Sequence, residues 1–129
     1  MGFLDGFKRI SIVQGKPSCT LSRNGLTFSK NAVYKLDKAT EVDVYINSED
    51  KKLAVKKTID KTDMSVPFVR GNKDYVRWNS KDFIKIFETW LGWDSESNIR
   101  YKIDGEYIAD EELICFDFTK AIVSTDEEN

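Results

Sequence analysis

Moving protons, holding a metal or attacking a carbonyl requires particular side chains, and this chain has few of them. Histidine is absent from all 129 residues. That removes the commonest general base, the commonest metal ligand, and every Ser-His or Cys-His device. Cys19 and Cys115 stand far apart in strand-like surroundings, Ser18-Cys19-Thr20-Leu21 and Leu113-Ile114-Cys115-Phe116. Two isolated thiols make no zinc site, and they are expected as buried free cysteines. Neither G-x-x-x-x-G-K-S/T nor G-x-G-x-x-G occurs, so no phosphate-cradling loop is visible. Carboxylates are the one catalytic route left. The densest cluster, Asp110-Glu111-Glu112, reads first as a solvated turn. No catalytic residue, metal or cofactor is therefore expected, and the chain is read as working by surface recognition.

Charge suggests where recognition occurs. The net charge of −2 conceals an asymmetry. Residues 1–57 carry 11 Lys/Arg and 6 Asp/Glu, a net of +5, whereas residues 58–129 carry 9 and 16, a net of −7. If the halves do not interleave, the molecule is electrostatically polarised. Phosphate contact needs well-placed cations, and the candidates are Arg23, Lys30, Lys35 and Lys38, with Lys51, Lys52, Lys56 and Lys57 on a predicted hairpin. The bland alternative is that lysines on hairpin faces confer solubility and guard edges. On the acidic side, Trp93 follows the helix-ending Gly92. Exposed beside Asp94, Glu96, Asp110, Glu111 and Glu112, it would anchor a basic protein partner.

The elements that must position these groups follow from periodicity. Lys8–Val13 has strand character. Cys19–Arg23 and Leu26–Ser29 flank Asn24-Gly25, a hairpin signal in which both residues tolerate positive φ. Ser29 is placed to cap a short helix, Lys30–Leu36. Glu41–Asn47 alternates cleanly, with Val42, Val44 and Ile46 on one face, and Lys52–Lys57 returns with Leu53 and Val55 inward. After a polar connector and a strand at Tyr75–Trp78, Asn79 or Ser80 caps a stronger helix, Lys81–Leu91, with a broad apolar stripe. Asn98–Ile103, a tight turn at Asp104-Gly105, Leu113–Phe118 and Ala121–Val123 complete the strands, and 124–129 is an acidic tail.

Eight Phe, five Tyr and three Trp supply bulk for one core. A single domain over 1–129 is expected, with repeat-like halves 19–57 and 75–118 and a connector at 58–74. The halves match at an offset of 50: Leu26, Phe28, Val33, Tyr34, Lys35 and Leu36 fall on Val76, Trp78, Phe83, Ile84, Lys85 and Ile86. Duplication and shared strand-helix grammar both account for such a match. The fold class is α+β: mostly antiparallel strands in a barrel-like core with two helices, in which a pseudo-two-fold internal repeat is one allowed arrangement.

Residues 19–57, with a turn at Arg23-Asn24-Gly25, the run Leu26-Thr27-Phe28-Ser29, a short helix and two strands across Ser48-Glu49-Asp50, resemble the AbrB/MazE-type swapped-hairpin domain. The chain departs from that pattern at Ser29, where the family usually has Pro, and at Ala39-Thr40, where it usually has Gly-Asp. The resemblance implies DNA binding by a β-rich dimer, with Arg23 and Lys30 facing DNA and residues 76–118 standing in for a second subunit. The leading expectation is a DNA-associated regulator of a bacterium, phage or mobile element, binding duplex DNA through its basic first half. The alternative is an acidic inhibitor or adaptor of the counter-defence type, acting on a basic host protein. A homo-oligomer without a ligand is a third. The apolar runs are far below the roughly 20 residues of a membrane span, and no secretory leader is read at 1–9, so a cytoplasmic location is expected.

Overall fold

The structure is a computed structural model that describes residues 2–3, 5–6, 16–93 and 98–125. The predicted strand at Lys8–Val13, Asp94 and Glu96, and the tail beyond Thr125 lie outside the described residues. The strands are β1 (Ser18–Ser22), β2 (Gly25–Phe28), β3 (Glu41–Asn47), β4 (Lys52–Lys57), β5 (Val66–Pro67), β6 (Val76–Trp78), β7 (Ile99–Ile108), β8 (Leu113–Asp117) and β9 (Ile122–Thr125). Helix α1 (Lys30–Lys35) follows β2, α2 (Lys81–Leu91) follows β6, and a 3-10 turn at Phe118–Lys120 joins β8 to β9. Among the described residues the strand pairings are antiparallel, and the strands lie in the order β5-β3-β4-β8-β7-β1-β2-β6, with β9 beside β7. The result is an α+β half-barrel, a sheet curled around its core.

Local rules account for most boundaries. Ser29 Oγ accepts from the Ala32 amide at 3.2 Å, capping α1, and from the Ser18 amide at 3.0 Å, which ties the helix start to β1. Gly92, at φ +60°, ends α2 in the left-handed conformation that favours glycine. At the first hairpin only Gly25 takes a positive φ; Arg23 and Asn24 form the two-residue loop without it, contrary to the expectation for Asn24. Glycine is required there for another reason. A Cβ on Gly25 would sit 2.4 Å from the Trp78 carbonyl oxygen, because β6 runs against β2.

Asp104-Gly105 is not a turn. Strand β7 continues through it for 10 residues and changes partners there, from β1 and β9 before Gly105 to β8 after it. A Cβ on Gly105 would lie 2.5 Å from Ile114 Cγ2 and 2.7 Å from Phe116 Cε1, so the glycine marks close approach to the core. The turn comes later, at 109–112, with Glu112 at φ +53°. Strand β5 lies inside the expected connector, paired through Glu41↔Pro67 and Val42↔Val66.

The core is aromatic-rich. Phe28, Phe87, Phe116 and Phe118 are fully buried, with Leu21, Leu26, Leu53, Ile103 and Ile114 around them. Phe87 stacks on Phe118 at 4.6 Å, and Phe28 meets Phe68, Trp78 and Phe116 edge-on. Each such ring contributes about 1.5–3 kcal/mol by leaving water. The two ends of the sheet meet through a side chain: Trp78 Nε1 donates to the Pro67 carbonyl at 3.1 Å.

Candidate nucleic-acid interface

The expected charge polarity required halves that stay apart, and they do not. Strand β1 pairs with β7, β2 with β6 and β4 with β8, so basic and acidic segments interleave across three ladders. Hairpin lysines face carboxylates from both halves of the chain. Lys56 pairs with Glu111 at 3.2 Å, Lys57 with Asp37 at 3.1 Å, and Lys52 stands opposite Asp117 in the β4–β8 register. Lys51 occupies a left-handed turn position at φ +56°. On α1 and just after it, Lys30 reaches Asp74 at 3.7 Å, Lys30 and Lys38 both lie over the Tyr34 ring at 5.8 Å, and Lys35 lies over Tyr107 at 5.4 Å. Lys30 and Lys38 thus share the Tyr34 ring and Lys35 takes Tyr107, while Lys56 and Lys57 of the hairpin are compensated.

Arg23 is placed differently. The β1–β2 loop carries it toward the first turns of α2, where Lys81 and Lys85 stand one above the other at i, i+4, on the side away from the apolar stripe. These three cations, with Asn24, Asn79 and Glu88, line a cavity of about 540 Å³. A second cavity of about 390 Å³ adjoins it, with Arg70, Lys73 and Arg77 among its lining, and Asn79 borders both. Lys73 lies over the exposed Tyr75 ring at 5.6 Å, Arg70 pairs with Glu41 at 3.4 Å, and Arg77 Nε donates to Thr27 Oγ1 at 3.2 Å. Arg23, Arg70, Lys73, Arg77, Lys81 and Lys85 therefore form one strip, against which Glu88 is the single carboxylate lining either cavity.

Sequence reasoning found Arg23 and missed the other five, because all five sit in the net-acidic half. The available signal was the Lys81/Lys85 spacing opposite the stripe Phe83, Ile84, Phe87 and Trp90, which puts two cations on one exposed helix face.

The acidic candidates are not assembled around an exposed tryptophan. Trp93 is 5% exposed, edge-on to Tyr101 at 6.3 Å, and its Nε1 has no hydrogen-bond partner. It belongs to the core: Gly92 turns the chain inward, and the Trp93 amide donates to the Glu88 carbonyl. Asp110 and Glu111 are exposed on the 109–112 turn, and the Glu112 carbonyl accepts from the Lys57 amide at 3.1 Å.

Both cysteines are free; Cys19 is buried and Cys115 half-buried. Burial pushes both thiols up, so neither is poised as a thiolate. The hydroxyl of Thr119 donates to Asp117 Oδ1 at 2.6 Å and holds that carboxyl below its ordinary value, assisted by the Thr119 amide, Lys52 and Lys120. Among the described residues no group of three Cys, Asp or Glu side chains is arranged to hold a metal ion, and no helix is long and apolar enough to cross a membrane. Compared with protein-family models, curated proteins and solved structures, the chain has no match in any of the three.

Proposed function

We propose that this chain is a small non-enzymatic DNA-binding regulator that grips duplex phosphates through the strip built on the β1–β2 loop, β6 and the start of α2. The observation that carries the reading is the convergence of Arg23, Lys81 and Lys85, from segments far apart in sequence, on one cavity with no ion pair among them in the described residues. Cations left uncompensated on one face are what a phosphate backbone attracts, with release of its counterions. The hairpin lysines are secondary, being already engaged by Asp37 and Glu111.

The swapped-hairpin resemblance, with its internal repeat, belongs to the same proposal, and the strand registers support it. In the β2–β6 ladder Thr27 faces Arg77, its counterpart at the offset of 50, while Leu26 faces Trp78 and Phe28 faces Val76. A two-fold axis through the Thr27–Arg77 pair demands that crossing. Matching β1 with β5, β2 with β6, β3 with β7 and β4 with β8, the run β5-β3-β4-β8-β7-β1 reads the same from either end. One chain would then present what a swapped-hairpin dimer presents with two. The rival reading, an acidic inhibitor of a basic protein, keeps the exposed Asp110 and Glu111 but not an exposed Trp93.

The test is retention of a labelled duplex at low salt. The wild type is expected to bind, and the R23Q/K81Q/K85Q variant, which changes exposed side chains, to fold and release it. Absence of wild-type binding would dispose of the proposal.

A further inference from the structure

Where β5 and β6 approach, the curl of the sheet leaves a groove in place of a ladder. Alternation turns Val42, Val44 and Ile46 of β3 inward, yet cover runs out along the strand: Val42 is buried, Val44 half-buried and Ile46 39% exposed. Across from them stand Trp78 and Phe83, edge-on at 5.4 Å, with Val66 and Pro67 of β5 beside them. The space enclosed is about 530 Å³, within the ~300–1,000 Å³ range of small-molecule sites.

The lining is divided. The β3–β5 wall is aliphatic, while the β6–α2 wall adds Arg77, Asn79 and Ser80. Arg77 is the one charged residue among those lining the groove. Thr27 Oγ1 accepts from its Nε, which fixes one edge of the guanidinium and leaves the donors of the terminal nitrogens for a partner. Trp78 spends its N–H on Pro67 and so offers an aromatic surface that demands no hydrogen bond. The Ser80 hydroxyl makes no capping bond to α2.

We propose that this groove binds a small amphipathic anion, its apolar body lying on Trp78, Phe83, Val44 and Ile46 and its single acidic head on Arg77. A cation would be repelled by the guanidinium. A neutral apolar molecule would strip water from Arg77 and return no hydrogen bond. An anion with an apolar body satisfies both walls. Met64, 83% exposed at the rim, has a flexible thioether able to follow bodies of different shape. This inference stands on the groove alone and does not depend on nucleic-acid binding.

Two fluorescent probes test it on the full chain: anilinonaphthalene sulfonate, and phenylnaphthylamine, which has the same aromatic body without the acid. The sulfonate probe is expected to bind saturably and tighter than the neutral probe. R77Q, at an exposed position, should weaken it about tenfold, the loss of one charge-assisted hydrogen bond, and leave the neutral probe unchanged. V66W should fill the groove and abolish both. Because V66W puts folding at risk, the Trp78 indole N–H resonance of the wild type is followed as well, and it should shift as the sulfonate probe saturates. A stationary Trp78 resonance, equal affinity for the two probes, or R77Q binding both as the wild type does would each overturn the proposal.

Discussion

Neutralising the strip should change how binding responds to salt, in proportion to the cations removed. For duplex DNA, log K falls against log salt with a slope of about −0.9 per phosphate contacted. If Arg23, Lys73, Arg77, Lys81 and Lys85 each engage one phosphate, with Arg70 tied to Glu41, the slope is about −4.5, and a fourfold rise in salt weakens binding about 500-fold. R23Q/K81Q/K85Q removes three contacts. Its slope should be about −1.8, and the same rise in salt should cost only about 12-fold. Fluorescence anisotropy of a labelled duplex across a salt series measures both slopes. The informative control is K51Q/K52Q/K56Q/K57Q, which removes one more positive charge than the strip variant. If net charge alone governed binding, the control would lose more slope; with Lys56 and Lys57 tied to Glu111 and Asp37, it should lose less. A control that flattens the slope while the strip variant keeps it refutes the reasoning.

The other predictions concern the scaffold and the groove. G105A should destabilise the fold by about 1–3 kcal/mol in urea unfolding, since its Cβ meets Ile114 and Phe116 in the core. G25A should cost more, because the atom it meets is the Trp78 backbone oxygen and its φ of +124° suits glycine. The Asp117 carboxyl is held low in the folded state chiefly by the Thr119 hydroxyl, so its contribution is present above the ordinary carboxylate value and lost as pH falls through the depressed one. D117N should therefore flatten the acid limb of a stability–pH curve and leave its shape near neutrality unchanged. A groove occupied by the sulfonate probe should reduce the salt slope of duplex binding by about 0.9, the share of Arg77 alone.

What the sequence made legible was local. Both helices, the Ser29 cap, the Gly92 stop and the β3–β4 hairpin rest on signals within a few residues, and the structure has them in place. Four features escaped those local signals. Gly105 carries the same dipeptide signal as a turn, and only the rings and methyls of β8 beside it reveal a close approach within a strand. β5 is two residues long and contains a proline, so it has no periodicity to read. The site was obscured because summing charge over each half presumes halves that separate, whereas Lys52–Lys57 lies against Leu113–Asp117. The position of Trp93 past the helix permits both a core residue and an exposed anchor, and the left-handed Gly92 directs it toward the core.

The basic strip and the apolar groove are neighbours for a reason rooted in the shortness of β6. Three residues suffice to place Val76 and Trp78 toward the core and Arg77 outward, and the next position already leaves the sheet for α2. Such a strand ends beside open space on both sides, since its companion across the seam, β5, is shorter still. Asn79 borders the groove and both basic cavities, and Arg77 borders the groove and one of them. One guanidinium satisfies an acidic ligand head or a phosphate in its fixed plane, but not both in full, because Thr27 already holds one of its edges. Under the proposed DNA binding, any ligand that takes Arg77 into the groove should therefore loosen the grip on phosphate, and by linkage DNA should weaken that ligand by the same factor.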